Sequence, residues 1–167
     1  MPNWIEGTLK IRGTYENVKG FFMNGLEVNS YNVDFEKKAV VATPIPKEKW
    51  FKLNEAEREC SIALQSDNVY VIGTKRAFLQ NQDFYFYHDE DNEPVIACVD
   101  FQQAWSIVAE NWAELSKKYG VDFRLYGFER GMEFCQEVEI INGEITMNDE
   151  IKYDDWDWEC PFPKMGG

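Results

Sequence analysis

Residues 4–12 alternate strictly, with Ile5, Gly7, Leu9 and Ile11 set against Glu6, Thr8, Lys10 and Arg12. A period of two predicts a strand with one buried face. Thr14 is suited to cap a helix, and Val18, Phe21 and Phe22 recur at helical spacing up to a stop at Gly25. Val28–Phe35 and Ala39–Thr43 read as a hairpin around Glu36-Lys37-Lys38, closed by Pro44 and Pro46. Asn54-Glu55-Ala56-Glu57 has the form of a capping box and predicts a helix to about Gln65, with Cys60, Ala63 and Leu64 on one face. Val69–Ile72 is a short strand, and Gly73–Asn81 reads as a loop.

The second half repeats the mixture. Phe84–Tyr87 and Val95–Phe101 are strands joined by the polar turn Asp89-Glu90-Asp91-Asn92-Glu93-Pro94. A helix over 102–119 places Trp105, Val108, Trp112 and Leu115 three to four apart, with Lys117 and Lys118 near its end and Gly120 as its stop. Val121–Phe128, Phe134–Ile140 and Glu144–Ile151 are strands, the last two joined by the tight-turn pair Asn142-Gly143. The tail Tyr153-Asp154-Asp155-Trp156-Asp157-Trp158-Glu159 is acidic and aromatic, and Pro161, Pro163 and Gly166-Gly167 predict a frayed end. The plan expected is α+β: antiparallel sheets with helices packed on one face.

Charge changes this picture. Residues 1–83 hold 11 Lys+Arg and 11 Asp+Glu, whereas residues 84–167 hold 6 and 19, so the whole net charge of −13 lies in the second half. The expected organisation is a neutral half, 1–83, and an acidic half, 84–167, in one compact unit. Such asymmetry points to an acidic face or tail and argues against nucleic acid as a direct partner, because phosphate binding needs basic residues. The start, Met-Pro-Asn-Trp-Ile-Glu-Gly, has neither a basic nor an apolar leader region, and no apolar run approaches a membrane span. A cytoplasmic protein with no membrane partner is expected. Cys60, Cys98, Cys135 and Cys160 form no Cys-x-x-Cys pair and are read as free thiols.

Several short motifs occur in a recognisable order: Met1-Pro2-Asn3-Trp4, Gly73-Thr74-Lys75, Val99-Asp100-Phe101 through Ala104-Trp105-Ser106, and Phe128-Glu129-Arg130-Gly131-Met132. Together they resemble the YubB-type ferredoxin-like family of phage and plasmid proteins. Where that family shows Trp-Gly-Thr-Lys-Trp, this chain has Ile72 and Arg76 at the two outer positions, and Ile5 stands where members often have Cys. The resemblance implies a ferredoxin-like fold and a mobile-element setting, and it implies no reaction.

Few residues suit catalysis. His88 is the only imidazole and reads as a surface residue beside an acidic turn. Asp89, Asp91, Glu93 and Asp100 approach the spacing of a calcium loop, yet Pro94 sits where that loop needs Gly. Gly73-Thr74-Lys75 could cradle a phosphate but reads first as a strand-terminal turn. No cofactor, no metal and no enzyme activity are expected. The candidate partner-binding residues are acidic or aromatic. With alternation, Glu133, Glu137 and Glu139 face outward, opposite Phe134, Gln136, Val138 and Ile140. Carboxylates at i and i+2 lie about 6.6 Å apart, close to the roughly 6.8 Å of two rises along a DNA strand. Such a row could imitate phosphates. As a strand, the tail would put Trp156 and Trp158 on one face and Asp155, Asp157 and Glu159 on the other, with Asp154 beside them.

The function expected is that of a non-enzymatic phage or mobile-element protein. It would inhibit a host nucleic-acid-handling or defence protein of restriction or CRISPR type by presenting acid to a basic surface. The alternative is direct single-strand nucleic-acid binding by the neutral half, with Lys10, Arg12, Lys37, Lys38, Lys75 and Arg76 on phosphates. Sequence leaves the oligomeric state open.

Overall fold

In the computed structural model, which describes residues 3–34, 36, 38–88 and 93–167, the opening alternation becomes strand β1 (Trp4–Gly13). Ile5, Leu9 and Ile11 are fully buried on one face while Lys10 and Arg12 are exposed on the other. Helix α1 (Tyr15–Asn24) follows, and the Thr14 hydroxyl accepts from the Asn17 N–H as an N-cap. Next come β2 (Leu26–Glu27), the ribbon β3 (Asn29–Asp34) and β4 (Ala39–Pro44), and one 3-10 turn at Lys47–Lys49. Then follow β5 (Phe51–Glu55), β6 (Glu59–Leu64), β7 (Val69–Val71), β8 (Ala77–Leu79), β9 (Gln82–Tyr87) and β10 (Val95–Ala104). Helix α2 (Ala109–Tyr119), β11 (Asp122–Glu129), β12 (Phe134–Ile141), β13 (Glu144–Lys152) and the single turn α3 (Trp156–Glu159) complete the described elements.

Eight strands form one antiparallel sheet in the order β13-β12-β11-β1-β10-β8-β7-β2. Strands from 1–83 and from 84–167 are interleaved in it, because β1 lies between β10 and β11. β5, β6 and β9 make a second sheet, and β3 with β4 a third. The inner face of the large sheet supplies Leu9, Val99, Phe101, Leu125 and Val138 to the main core. Over it lie α1, α2 and the second sheet, in edge-on ring contacts such as Phe21–Phe123 at 5.3 Å and Trp112–Phe123 at 5.2 Å. Phe22 and Phe84, 4.7 Å apart, join α1 to the second sheet. Gln82 ties the two sheets together, since its amide donates to the Asp100 carbonyl at 2.9 Å and accepts the Asp100 N–H at 2.8 Å.

The expected α+β, ferredoxin-like plan is thereby corrected to a mostly β architecture with a large antiparallel sheet and three helices among the described residues. Three local readings account for the change. Residues 54–65 are the hairpin β5–β6, in which Cys60, Ile62 and Leu64 are buried at a period of two. The capping-box composition loses to this alternation because a buried face decides more free energy than propensity does. Gln102–Ala104 continue β10, held between β1 and β8, so α2 starts only at Ala109. Trp105 then lies outside the core, 58% exposed, with a left-handed φ of 70°. Within 73–81, Ala77–Leu79 form β8 rather than loop. The turn residues Asp89–Asn92 lie outside the described residues, as does Lys37.

Candidate functional site

The acidic residues singled out by sequence fall on β12, on β13 and on the segment after β13. β12 and β13 are joined by Asn142 and Gly143, both with positive φ, as a tight hairpin turn requires. Gln136 points inward as expected: its amide donates to the Ile107 carbonyl at 3.0 Å and to Asn148 at 2.9 Å.

The outward row is broken and partly offset in charge. Glu133 precedes β12 in a left-handed conformation, φ 57°, and is not part of the strand's alternation. Cys135, the next odd position, is buried. Glu137 and Glu139 do lie on the open face, but Arg124 of β11 sits between them. Its guanidinium donates to Glu137 through Nε at 3.1 Å and also through a second nitrogen, and reaches Glu139 at 3.5 Å. The Glu137 hydrogen bond raises the Arg124 pKa. Thr146 donates to Glu139 at 2.9 Å. Two rungs away Arg12 holds Asp122 at 2.7 Å. The open face between β1 and β12 is therefore a shallow trough of mixed charge, lined by Lys10, Arg12, Asp122, Arg124 and Glu139.

The tail is folded rather than frayed. Asp155 caps α3 by accepting from the Trp158 N–H at 3.3 Å, while Glu159 accepts from the N–H groups of Asp154 and Asp155 at 3.1 and 3.4 Å. Two of the candidate carboxylates are thus spent on closing this one turn. In a helix, residues i and i+2 are about 200° apart, so the two tryptophans diverge instead of sharing a strand face. Trp156 turns inward: it is 5% exposed, clusters with Phe128, Cys135 and Cys160, and donates Nε1–H to the Pro163 carbonyl at 2.9 Å. Trp158 turns outward and is 86% exposed, more than any other large hydrophobic residue described.

Beyond α3 the chain crosses the outer face of the sheet. Phe162 packs edge-on against Phe128 at 5.3 Å, the Gly166 N–H donates to Glu6 at 3.3 Å, and the Gly167 N–H donates to the Trp4 carbonyl at 2.9 Å. A Cβ at Gly166 would lie 2.2 Å from the Phe128 carbonyl oxygen, so only glycine fits where the tail meets the sheet. Asp154, Asp157, Trp158 and Glu159 accordingly project from a mounted knob.

The other candidates make contacts within the fold. The His88 ring lies 4.1 Å from the Tyr15 ring, tilted by 38°. In the Gly73-Thr74-Lys75 loop, the Thr74 N–H goes to Val71 and the Lys75 N–H to Asn111, leaving neither for a phosphate. Glu129, fully buried, accepts the N–H groups of Gly131 and Met132 at 2.8 and 2.6 Å, which gives the Phe128–Met132 motif a role in closing the β11–β12 turn. Of the six cations of the alternative reading, the five among the described residues are not brought together. Lys10 and Arg12 lie mid-sheet, Lys75 and Arg76 lie before β8, where Arg76 sits 5.4 Å above the Trp4 ring, and Lys38 belongs to the β3–β4 turn. No group of three or more His, Cys, Asp or Glu among the described residues is placed to hold a metal. All four cysteines are free thiols, with Cys98 alone exposed. No described helix is long and apolar enough to cross a membrane. Comparison of the chain with family models, with curated proteins and with solved structures finds no match.

Proposed function

We propose that this chain is a non-enzymatic binding protein whose acidic C-terminal knob docks on a partner with a basic, nucleic-acid-binding surface and so blocks it. One observation carries the reading: Trp158 stands 86% exposed on a turn pinned down by its neighbour Trp156. An exposed indole on a rigid mount loses little entropy on binding, and Trp is the side chain most often found as an interface anchor. The carboxylates of Asp154 and Asp157 supply the charged rim, and the −13 net charge supplies long-range steering. The acid acts as a field and a rim, not as a phosphate-spaced row, since Cys135 interrupts the row and Arg124 bridges Glu137 and Glu139, cancelling one of their two charges. The order of short motifs is in keeping with a phage or mobile-element setting, and with it the acidic charge favours, as partner in the host cytoplasm, a defence enzyme of restriction or CRISPR type.

The test is capture of a host nucleic-acid enzyme at low salt, its release at high salt, and loss of that enzyme's activity. Trp158→Ala and the pair Asp154→Lys with Asp157→Lys should each weaken capture; Asp155 is left alone because it caps the turn. Capture and inhibition unchanged in both variants would remove the knob from the mechanism. A second reading, single-strand binding on the sheet, draws on Arg76 above Trp4 and on Phe78 edge-on to Trp4 at 5.9 Å. Titration with single-stranded oligonucleotides at low salt separates the two.

A further inference from the structure

The large sheet ends in two unlike edges. At one end β2 is only two residues long, a usual way of blunting an edge. At the other end β13 runs for nine residues, contains no proline, and bonds only to β12. Every residue of β13 except Met147 is exposed, so neither the knob nor the tail covers it. Along its outer side the alternate N–H and C=O groups of an antiparallel strand face outward, ready for a further strand.

The chemistry of this edge selects its occupant. Residues 144–159 carry seven carboxylates against the single Lys152, and that lysine is already paired with Glu150 at 3.3 Å. Glu144 and Asp149 have no ion pair among the described residues. A second copy of β13 would bring like charges into register, so self-pairing is opposed. A polyanion is opposed for the same reason. A cationic strand gains on both counts, from main-chain hydrogen bonds and from cross-strand pairs. The register with β12 places Glu144 and Asp149 on the open face of the sheet together with Met147 and Ile151. Ile145 and Ile151, about two-fifths exposed, supply apolar contacts between the charges.

We propose that β13 is a docking edge for an extended Lys/Arg-rich segment of the partner, added as a further strand and held at its end by Trp158. This rests on the partner-binding reading above and names the part of the partner that is held. At about 3.4 Å per residue, nine residues span roughly 30 Å, enough for nine residues of peptide. A basic tail or linker of a nucleic-acid-binding protein has this chemistry, and in its free state it is unfolded and can adopt the strand on contact.

The probe is a nine-residue peptide of alternating Lys and Val, titrated into the full chain and followed by Trp fluorescence and amide hydrogen exchange. Its control has the same side chains with every second backbone nitrogen methylated. Loss of several main-chain hydrogen bonds should weaken the control by about ten-fold or more. The plain peptide should slow exchange within 144–152, and Asp149→Lys with Glu150→Lys should abolish its binding. Equal binding of the two peptides, or no protection of 144–152, would overturn strand addition and leave charge alone. The two ideas fail separately. If Trp158→Ala destroys partner capture while β13 stays unprotected, the knob stands and the edge falls. If β13 is protected while Trp158→Ala leaves capture intact, the edge stands and the knob falls.

Discussion

Glu129 and Glu55 show how differently two carboxylates can act in one chain. Glu129 is fully buried and its two oxygens hold the Gly131 and Met132 N–H groups. Glu129→Ala removes both acceptors from a turn whose Gly131 and Met132 are themselves exposed, so water replaces part of the bonding and a loss of about 1–3 kcal/mol is expected in urea unfolding, whereas Glu129→Gln keeps one acceptor and should lose less. Equal losses in the two variants would mean that packing, not hydrogen bonding, sets the value. Glu55 is exposed and fastens β5 to α1 by accepting from Lys19 at 2.6 Å and from the Tyr15 hydroxyl. The Lys19 hydrogen bond, then that from Tyr15, lowers the Glu55 pKa. A lowered carboxylate pKa means that the folded state binds fewer protons than the unfolded state, so this contribution is complete above about pH 4.5 and fades as pH falls through the folded value. Glu55→Gln should lower stability in the neutral range and converge with the parent as pH falls below 4.5, so that its acid limb is flatter. An unchanged acid limb would assign acid unfolding to other carboxylates.

At the scale of elements, the knob depends on one inward side chain. Trp156→Ala removes the ring that fills the space between Phe128, Cys135 and Cys160, and a cost of about 3–5 kcal/mol is typical for such a truncation. Here the loss should stay local, because this cluster is separate from the main core. Expected is fast amide exchange and proteolysis after residue 152 with the eight-stranded sheet intact; global unfolding would show that the tail is integral to the sheet. Trp158→Ala, by contrast, should leave stability within about 0.5 kcal/mol, as surface substitutions do. The same elements show what could be read in advance. β1, α1, the β3–β4 ribbon and the β11–β13 strands were legible because alternation, a cap or a turn pair marked each one. Residues 54–65 and 102–104 depart from the helical reading because a period of two at Cys60, Ile62 and Leu64 outweighs helical composition, and because Gln103 is buried by pairing with Trp112. The divergence of Trp156 from Trp158 follows from Asp155 and Glu159 flanking them as caps, a signal present in the sequence but outweighed by the strand reading. The bridging of Glu137 and Glu139 by Arg124 is not legible in the sequence at all. It needs strand neighbours, and nothing local places Arg124 opposite Glu139.

For the whole molecule, the −13 charge opposes the compact state by self-repulsion while it steers a basic partner inward. The two effects respond to salt in opposite senses, and this is where solubility and function can be told apart. Added salt screens repulsion between exposed carboxylates such as Asp149, Asp154 and Asp157, so the melting temperature should rise by a few degrees between low and moderate ionic strength, about 2–4 °C for each kcal/mol regained. The triple variant Asp149→Asn, Asp154→Asn, Asp157→Asn should melt higher than the parent at low salt and show a smaller salt response. If these carboxylates serve only solubility, the variant keeps the parent's association rate with a basic partner. If they steer, stopped-flow association at low salt should be several-fold slower in the variant and should converge with the parent as salt rises, with dissociation altered far less. A stabilised variant that also binds more slowly would show that the acid is retained at the expense of stability because it brings the partner in. A melting temperature that falls with salt would place the balance with attractive pairs such as Arg124–Glu137 and Arg12–Asp122, and self-repulsion would not be the term that limits this fold.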